Sequence, residues 1–167
     1  MKMIIHDLPR QEDTPNGHLE NQGTRIISDN GTIRKCVGCF DCWTRTPGVC
    51  IMRDDYQQMG EWLAGSDEVV IISKCTYGGY SPFVKNVLDR SISYLLPYFA
   101  MVNGETHHQR RYPGSFKLTV HFYGSDLTSA EQDTARALVA ANALNLHSTG
   151  NGVHFHRSAD SVWEGLQ

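Results

Sequence analysis

The chain has 167 residues, of which 40% are hydrophobic and 20% charged, with a formal charge of −3. That length and balance predict one compact domain over residues 1–167 with enough apolar material for a core. They exclude the basic footprint of a nucleic-acid binder, and no uninterrupted apolar run approaches the roughly 18 residues of a membrane span.

Met1 to Ile5 is too short for the apolar core of a signal peptide. The cysteine count is five, an odd number, and four of them crowd between Cys36 and Cys50. A secreted disulfide framework would spread them further, so the pattern predicts a soluble protein of the reducing cytoplasm.

In chain order, Met3, Ile4 and Ile5 read as a first strand that stops at Leu8-Pro9. The polar stretch Arg10 to Gln22 lacks a helical stripe and reads as loop. Arg25 to Ser28 reads as a second strand, ended by the turn-prone Asp29-Asn30-Gly31. After the cysteine segment, Asp54 with Gln57 three residues on predicts a capped helix. Tyr56, Met59 and Leu63 form its apolar side and Gly65 closes it. Val69 to Ile72 is continuous and β-branched, as in a strand buried on both faces.

Ser81-Pro82 predicts the start of a helix carrying Val84, Val87, Leu88, Ile92, Leu95 and Leu96, which Pro97 ends. Phe116, Leu118, Val120 and Phe122 alternate as a strand. Thr128 with Glu131 forms a capping box for a helix carrying Ala135, Leu138, Val139, Ala143 and Leu146. Val153 and Phe155 suggest a last strand. Strand alternating with helix implies a doubly wound parallel sheet, and five strands fit the flavodoxin-like α/β type. Ligands in such sheets bind beyond the carboxyl ends of the strands. This points to the loops Leu8–Pro15, Lys74–Ser81 and Tyr123–Thr128.

The sharpest local pattern is Cys36-Val-Gly-Cys39-Phe-Asp-Cys42, with Cys50 after the turn-forming Pro47-Gly48. Thiols at every third position can curl around one inorganic centre, as iron–sulfur clusters and zinc require. Structural zinc favours two separated knuckles, so overlapping ones favour an iron–sulfur cluster over zinc. Free thiols packed as small hydrophobes and a redox-active Cys-x-x-Cys pair are the alternatives.

Cys36-x-x-Cys39-x-x-Cys42-Trp43, Thr46-Pro47-Gly48-x-Cys50 and Asp54-Asp55 together resemble the NAD(P)H-dependent FMN reductase and iron–sulfur flavoprotein superfamily. Tyr77-Gly78-Gly79-Tyr80-Ser81, Lys85 and Asp89-Arg90 extend the resemblance over about residues 25 to 125. It implies a flavodoxin-like fold, FMN, NAD(P)H as donor, small-molecule or protein electron partners, and a homodimer or homotetramer. It also implies a 4Fe–4S centre on Cys36, Cys39, Cys42 and Cys50, beside the flavin site. The loop Thr76, Tyr77, Gly78, Gly79, Tyr80 and Ser81 would lie against the isoalloxazine ring, with Tyr123 and Gly124 on the next strand's end. Gly78-Gly79 would let the backbone approach the ring closely. Lys85, Asp89 and Arg90 read as structural, with Lys85 and Asp89 paired on a helix surface.

The segment after the first strand departs from that family. In place of a Ser/Gly-rich phosphate cradle and a full helix it offers Arg10, Thr14 and Asn16 as donors, and Glu12 and Asp13 would repel a phosphate. The first helix is therefore expected to be shortened or missing. A flavin-free binding protein, or a module using the cysteines alone, is the competing expectation. Cys75 reads as a buried strand-end residue, His107 to Tyr112 as a solvated loop, and His154 and His156 as surface or interface histidines. Trp43 and Trp62 read as covering apolar surface. Tyr94 to Val102 is apolar beyond one stripe and suggests a contact between copies.

Overall fold

The computed structural model describes residues 1–9 and 23–164. Its strands are β1 Lys2–His6, β2 Thr24–Ser28, β3 Glu68–Lys74, β4 Leu95–Val102, β5 Glu105–Arg110, β6 Lys117–Tyr123 and β7 Gly150–His156. Its α-helices are α1 Asp41–Thr44, α2 Met59–Ala64, α3 Pro82–Arg90, α4 Ser129–Asn145 and α5 Asp160–Glu164. Five strands form one parallel sheet in the order β2-β1-β3-β6-β7. This is the flavodoxin-like order, with β1 and β3 flanking the point where the winding reverses. The expected shortened first helix, with Arg10, Thr14 and Asn16, lies outside the described residues.

The two sheet faces are unequal. Met3, Ile5, Val69, Ile71, Leu118, Val120 and Phe122 alternate onto one face, where Met59 and Leu63 of α2, Val84 and Val87 of α3, and Ala135 and Val139 of α4 cover them. The opposite face carries Ile4, Val70 and Ile72 against Leu8 and Val162 of α5. The Val69–Ile72 run is buried at every position, as a central parallel strand requires. The Thr128–Glu131 capping box forms as its spacing predicts.

Two expected helices differ. Asp54 does not cap one, and the helix starts later, after Gln58. Its carboxylate is taken instead by the Arg90 guanidinium and the amides of Arg34 and Tyr56. The helix opened by Ser81-Pro82 ends at Arg90, not at Pro97. A 3₁₀ turn over Ile92–Tyr94 follows, and Leu95 and Leu96 enter β4. Proline disfavours helix at the residue before it and cannot donate to a ladder, and Pro97 falls in the irregular stretch between Leu95 and Phe99. The presumed loop at His107–His108 is the second strand of this antiparallel hairpin.

The 3₁₀ turn depends on Gly60. A Cβ there would stand 2.2 Å from Ser93 Oγ and 2.8 Å from the Tyr94 amide nitrogen. Gly60→Ala is expected to cost about 1–3 kcal/mol from overpacking. That is roughly 2–12 °C in melting temperature for a domain of this size. A differential scanning run showing no loss would mean that the turn yields without cost.

Candidate functional site: a four-thiol cavity and a switch-point groove

Curling of the cysteine segment follows from its backbone. Gly38 and Phe40 both hold positive φ, 63° and 59°, between the first three thiols. Gly48, at φ 92°, turns the chain back, and its amide donates to the Cys42 carbonyl at 3.0 Å. The Cys36 amide donates to Asn86 Oδ1 of α3 at 3.1 Å, and the Cys50 amide to the Gln57 carbonyl at 3.0 Å. As a result Cys36, Cys39, Cys42 and Cys50 line one cavity of about 500 Å³, with Phe40, Met52, Leu88, Arg90, Leu95, His108 and Asn145 among its other walls.

None of the four is in a disulfide; Cys36 and Cys39 are exposed, Cys42 and Cys50 buried. Burial, then the neighbouring Cys50, Cys39 and Cys36, push the Cys42 thiol up to about 11. Crowded thiolates disfavour one another unless cations neutralise them, so the donor set suits a multi-iron centre. Among the described residues no three His, Cys, Asp or Glu side chains are arranged around a single metal ion. His108 stands at the rim between Trp43 and Phe99, at 4.9 and 4.8 Å, and its Nδ1 contacts the Leu96 carbonyl at 2.8 Å.

Beneath the cavity lies a buried ion pair. Arg90 grips Asp54 with two bonds of 2.7 Å, and the side chains are 0% and 4% exposed. The same guanidinium donates to the Arg34 carbonyl at 2.8 Å and the Met52 carbonyl at 3.4 Å. It thereby ties the chain before Cys36 to the chain after Cys50. Arg90 was expected to be merely structural, and Asp54 a helix cap. The missed signal is that Arg90 falls in the buried helical stripe of Phe83 and Val87. A cation in such a stripe calls for a buried partner. Lys85 and Asp89 pair on the surface at 2.6 Å, as their spacing predicts.

The second site is a groove of about 520 Å³ beyond the carboxyl ends of β1, β3 and β6, lined by Asp7, Lys74, Cys75, Thr76, Tyr77, Ser81, Pro82, Tyr123 and Glu131. It occupies the switch point between β1 and β3, where such sheets bind ligands. Thr76 and Gly79 exchange backbone bonds of 2.9 and 2.8 Å around Tyr77 and Gly78, whose φ values are 52° and 78°. This tight turn leaves the Tyr77 side chain 90% exposed. Gly78 packs closely on α4, because a Cβ there would meet Thr134 Cβ at 2.7 Å and the Glu131 carbonyl at 2.9 Å.

Of the other expected flavin residues, Ser81 caps α3 and its amide donates to Ser73 Oγ at 2.9 Å. Tyr80 stacks on Phe122 at 5.4 Å, away from the groove wall. The Gly124 amide donates to the His156 carbonyl at 3.0 Å. Burial and then Asp7 push the Tyr123 hydroxyl up. Arg10 lies outside the described residues. In position, volume and aromatic lining the groove suits a flat ring. Its carboxylates, Asp7 and Glu131, oppose a phosphate, which would take its donors from elsewhere.

The cysteines were expected beside the ring site; the cavity and the groove share no lining residue. Groove residues Ser81 and Pro82 begin α3, whereas cavity residues Leu88, Asp89 and Arg90 end it. Glu131 and Asn145 divide α4 in the same way. Nine helical residues rise about 13 Å, which sets the scale of the separation within one chain.

On the thinly covered sheet face, His121 Nδ1 lies 3.0 Å from His156 Nε2, and its ring stacks on His154 at 4.8 Å. The sequence reading had found only the surface pair. Burial and then His154 and His156 lower His121 to about 4, and burial also lowers His6 and His156. Protons taken up by the unfolded chain are thus refused by the folded one. Stability is full above the ordinary value near 6.5 and falls as pH drops from there towards 4. Urea unfolding at pH 7.5 and 4.5 should show this loss, and His121→Phe should remove much of it. Equal loss in the variant would assign the effect elsewhere.

No protein-family model matches the chain. Over 79 residues it is 29% identical to an iron–sulfur flavoprotein of Archaeoglobus fulgidus, a match covering 46% of this chain and 35% of that protein. The chain thus spans about a third of that relative's length. The structure is similar to an FMN-dependent NADH-azoreductase of Bacillus anthracis solved with FMN (TM-score 0.53, 10% identity, 98% of this chain and 92% of that one). It is also similar to general stress protein 14 of Treponema denticola solved with FMN (TM-score 0.50, 12% identity, 99% and 90%). The fold is the flavodoxin-like α/β fold.

Proposed function

We propose that the chain is an electron-transfer flavoprotein or FMN-dependent oxidoreductase that carries a 4Fe–4S centre on Cys36, Cys39, Cys42 and Cys50. The observation that carries this reading is the convergence of the four thiols on one cavity of a flavodoxin-like fold. The iron–sulfur flavoprotein likeness supports it. FMN would supply hydride acceptance from NAD(P)H and release of one or two electrons, and the cluster single-electron storage. Thr76, Tyr77, Ser81 and Tyr123 would hold the ring, while Phe40, Trp43 and the buried Arg90–Asp54 pair fix the cysteine segment.

The experiment is FMN fluorescence quenching by protein under anaerobic conditions, followed by bleaching with NADH and NADPH. Wild-type protein should quench, and Tyr77→Ala should weaken binding about two- to tenfold, the worth of one aromatic contact. FMN fluorescence that stays unquenched would sink the flavin half. A second reading, a cysteine-based module without flavin, is favoured by one specific observation. The Thr76, Gly79 and Ser81 amides are bonded internally, and Asp7 and Glu131 line the groove. The proposal includes self-association through the hairpin, supported by Tyr98, Phe99 and Met101 at 64%, 62% and 68% exposure. Light scattering that returns the monomer mass would refute that part. Among the described residues no helix is long and apolar enough to cross a membrane.

A further inference from the structure

We infer that Arg90 is a charge-compensating and positioning residue of the four-thiol cavity, setting the reduction potential of the centre held there, with Asp54 working against it. The inference rests on the iron–sulfur reading above. Arg90 forms part of the cavity wall, whereas Asp54 lies behind it and does not. The cation is therefore placed nearer the four thiols than its counter-ion is.

The guanidinium has one nitrogen to spare. Its Nε is buried and has no hydrogen-bond partner among the described residues, although the rest of the group makes bonds to Asp54, Arg34 and Met52. A guanidinium is charged at any working pH, and this one is fixed by its bonds to Asp54, Arg34 and Met52. Both ends of the cysteine segment are bonded to it, through the Arg34 and Met52 carbonyls.

The consequence concerns charge. When the centre gains one electron, from dithionite in a titration or from flavin in the proposed reaction, no thiolate bond breaks and no proton moves. The cavity becomes more negative by one unit. A buried cation at its wall stabilises that reduced form, and a carboxylate behind the cation opposes it. Removing Arg90 should lower the potential, and neutralising Asp54 while keeping Arg90 should raise it. A purely structural pair predicts something different: both variants would lose the centre or shift alike.

The test uses the full chain, reconstituted anaerobically with iron and sulfide as wild type, Arg90→Gln, Arg90→Lys and Asp54→Asn. Iron and sulfide per chain are measured, then the midpoint potential by optical titration, with circular dichroism confirming the fold at the working temperature. Arg90→Gln should make reduction at least tenfold less favourable, about 59 mV for a one-electron couple. Arg90→Lys should stay nearer wild type, and Asp54→Asn should move the other way. If Arg90→Gln does not fold, the opposed signs of Arg90→Lys and Asp54→Asn decide. Iron uptake with unchanged potentials, or shifts of one sign in both partners, overturns this inference alone. A wild-type chain that takes up no iron overturns the cluster reading and this inference together.

Discussion

Replacing Cys42 with serine is expected to reduce the iron taken up by the reconstituted chain from about four atoms to near zero, the count of a single cluster held by four thiolates. Cys42, one of the four proposed ligands, is buried in the short helix α1. Its thiol is also pushed up to about 11 by burial and by the three other cysteines. Only strong cation binding would draw its proton off at neutral pH, so loading should release protons into a weakly buffered solution. Cys75, the fifth cysteine, lines the distant groove, and Cys75→Ser should leave iron content unchanged. If iron survives Cys42→Ser, the ligand assignment is wrong.

The largest loss of stability is expected from Asp54→Ala. That change leaves a fully buried guanidinium without its bidentate counter-ion, which costs about 3–5 kcal/mol. At this chain length the loss corresponds to roughly 6–20 °C in melting temperature. Burial alone would raise the Asp54 pKa, but Arg90 and the amides of Arg34 and Tyr56 hold it below the ordinary range. Its contribution is therefore present above pH 4 and lost as pH falls through the folded value. That window lies below the one in which the histidines of β6 and β7 act, so a pH series separates the two effects. A melting temperature within a degree of wild type would show that the pair anchors nothing.

Much of the fold is legible in the sequence because its strands are buried on both faces. Val69–Ile72 can be only a central parallel strand or a fully buried helix, and Gly65 and the Ser81-Pro82 start leave room only for the strand. The capping box at Thr128 is a local motif with a local partner, so it too is readable. What stayed hidden depends on residues far apart in the chain. Asp54 looks like a helix cap until Arg90, 36 residues on, is brought beneath it. The His121–His154–His156 cluster needs the β6–β7 register, in which His121 stands opposite His154. The hairpin of β4 and β5 was missed because Leu95 and Leu96 continue a helical period that Pro97 and the close approach of Gly60 override.

Site residues divide along the same line. The cysteines are adjacent in sequence, and all four line one cavity. The distance between cavity and groove could not be read, because it depends on which end of α3 and α4 each site uses. The placement matters for the proposed mechanism, since the cavity and the groove share no lining residue, and a centre in one would exchange electrons with a ring in the other through the protein between them or by way of another molecule.

The most direct test of the account is the visible absorption spectrum of the chain purified without air and reconstituted with FMN, iron and sulfide, with both metals and flavin quantified on the desalted protein. The account predicts flavin bands over a broad iron–sulfur absorption that bleaches on reduction, with about four iron atoms per chain. A colourless protein that retains neither FMN nor iron after desalting would contradict it.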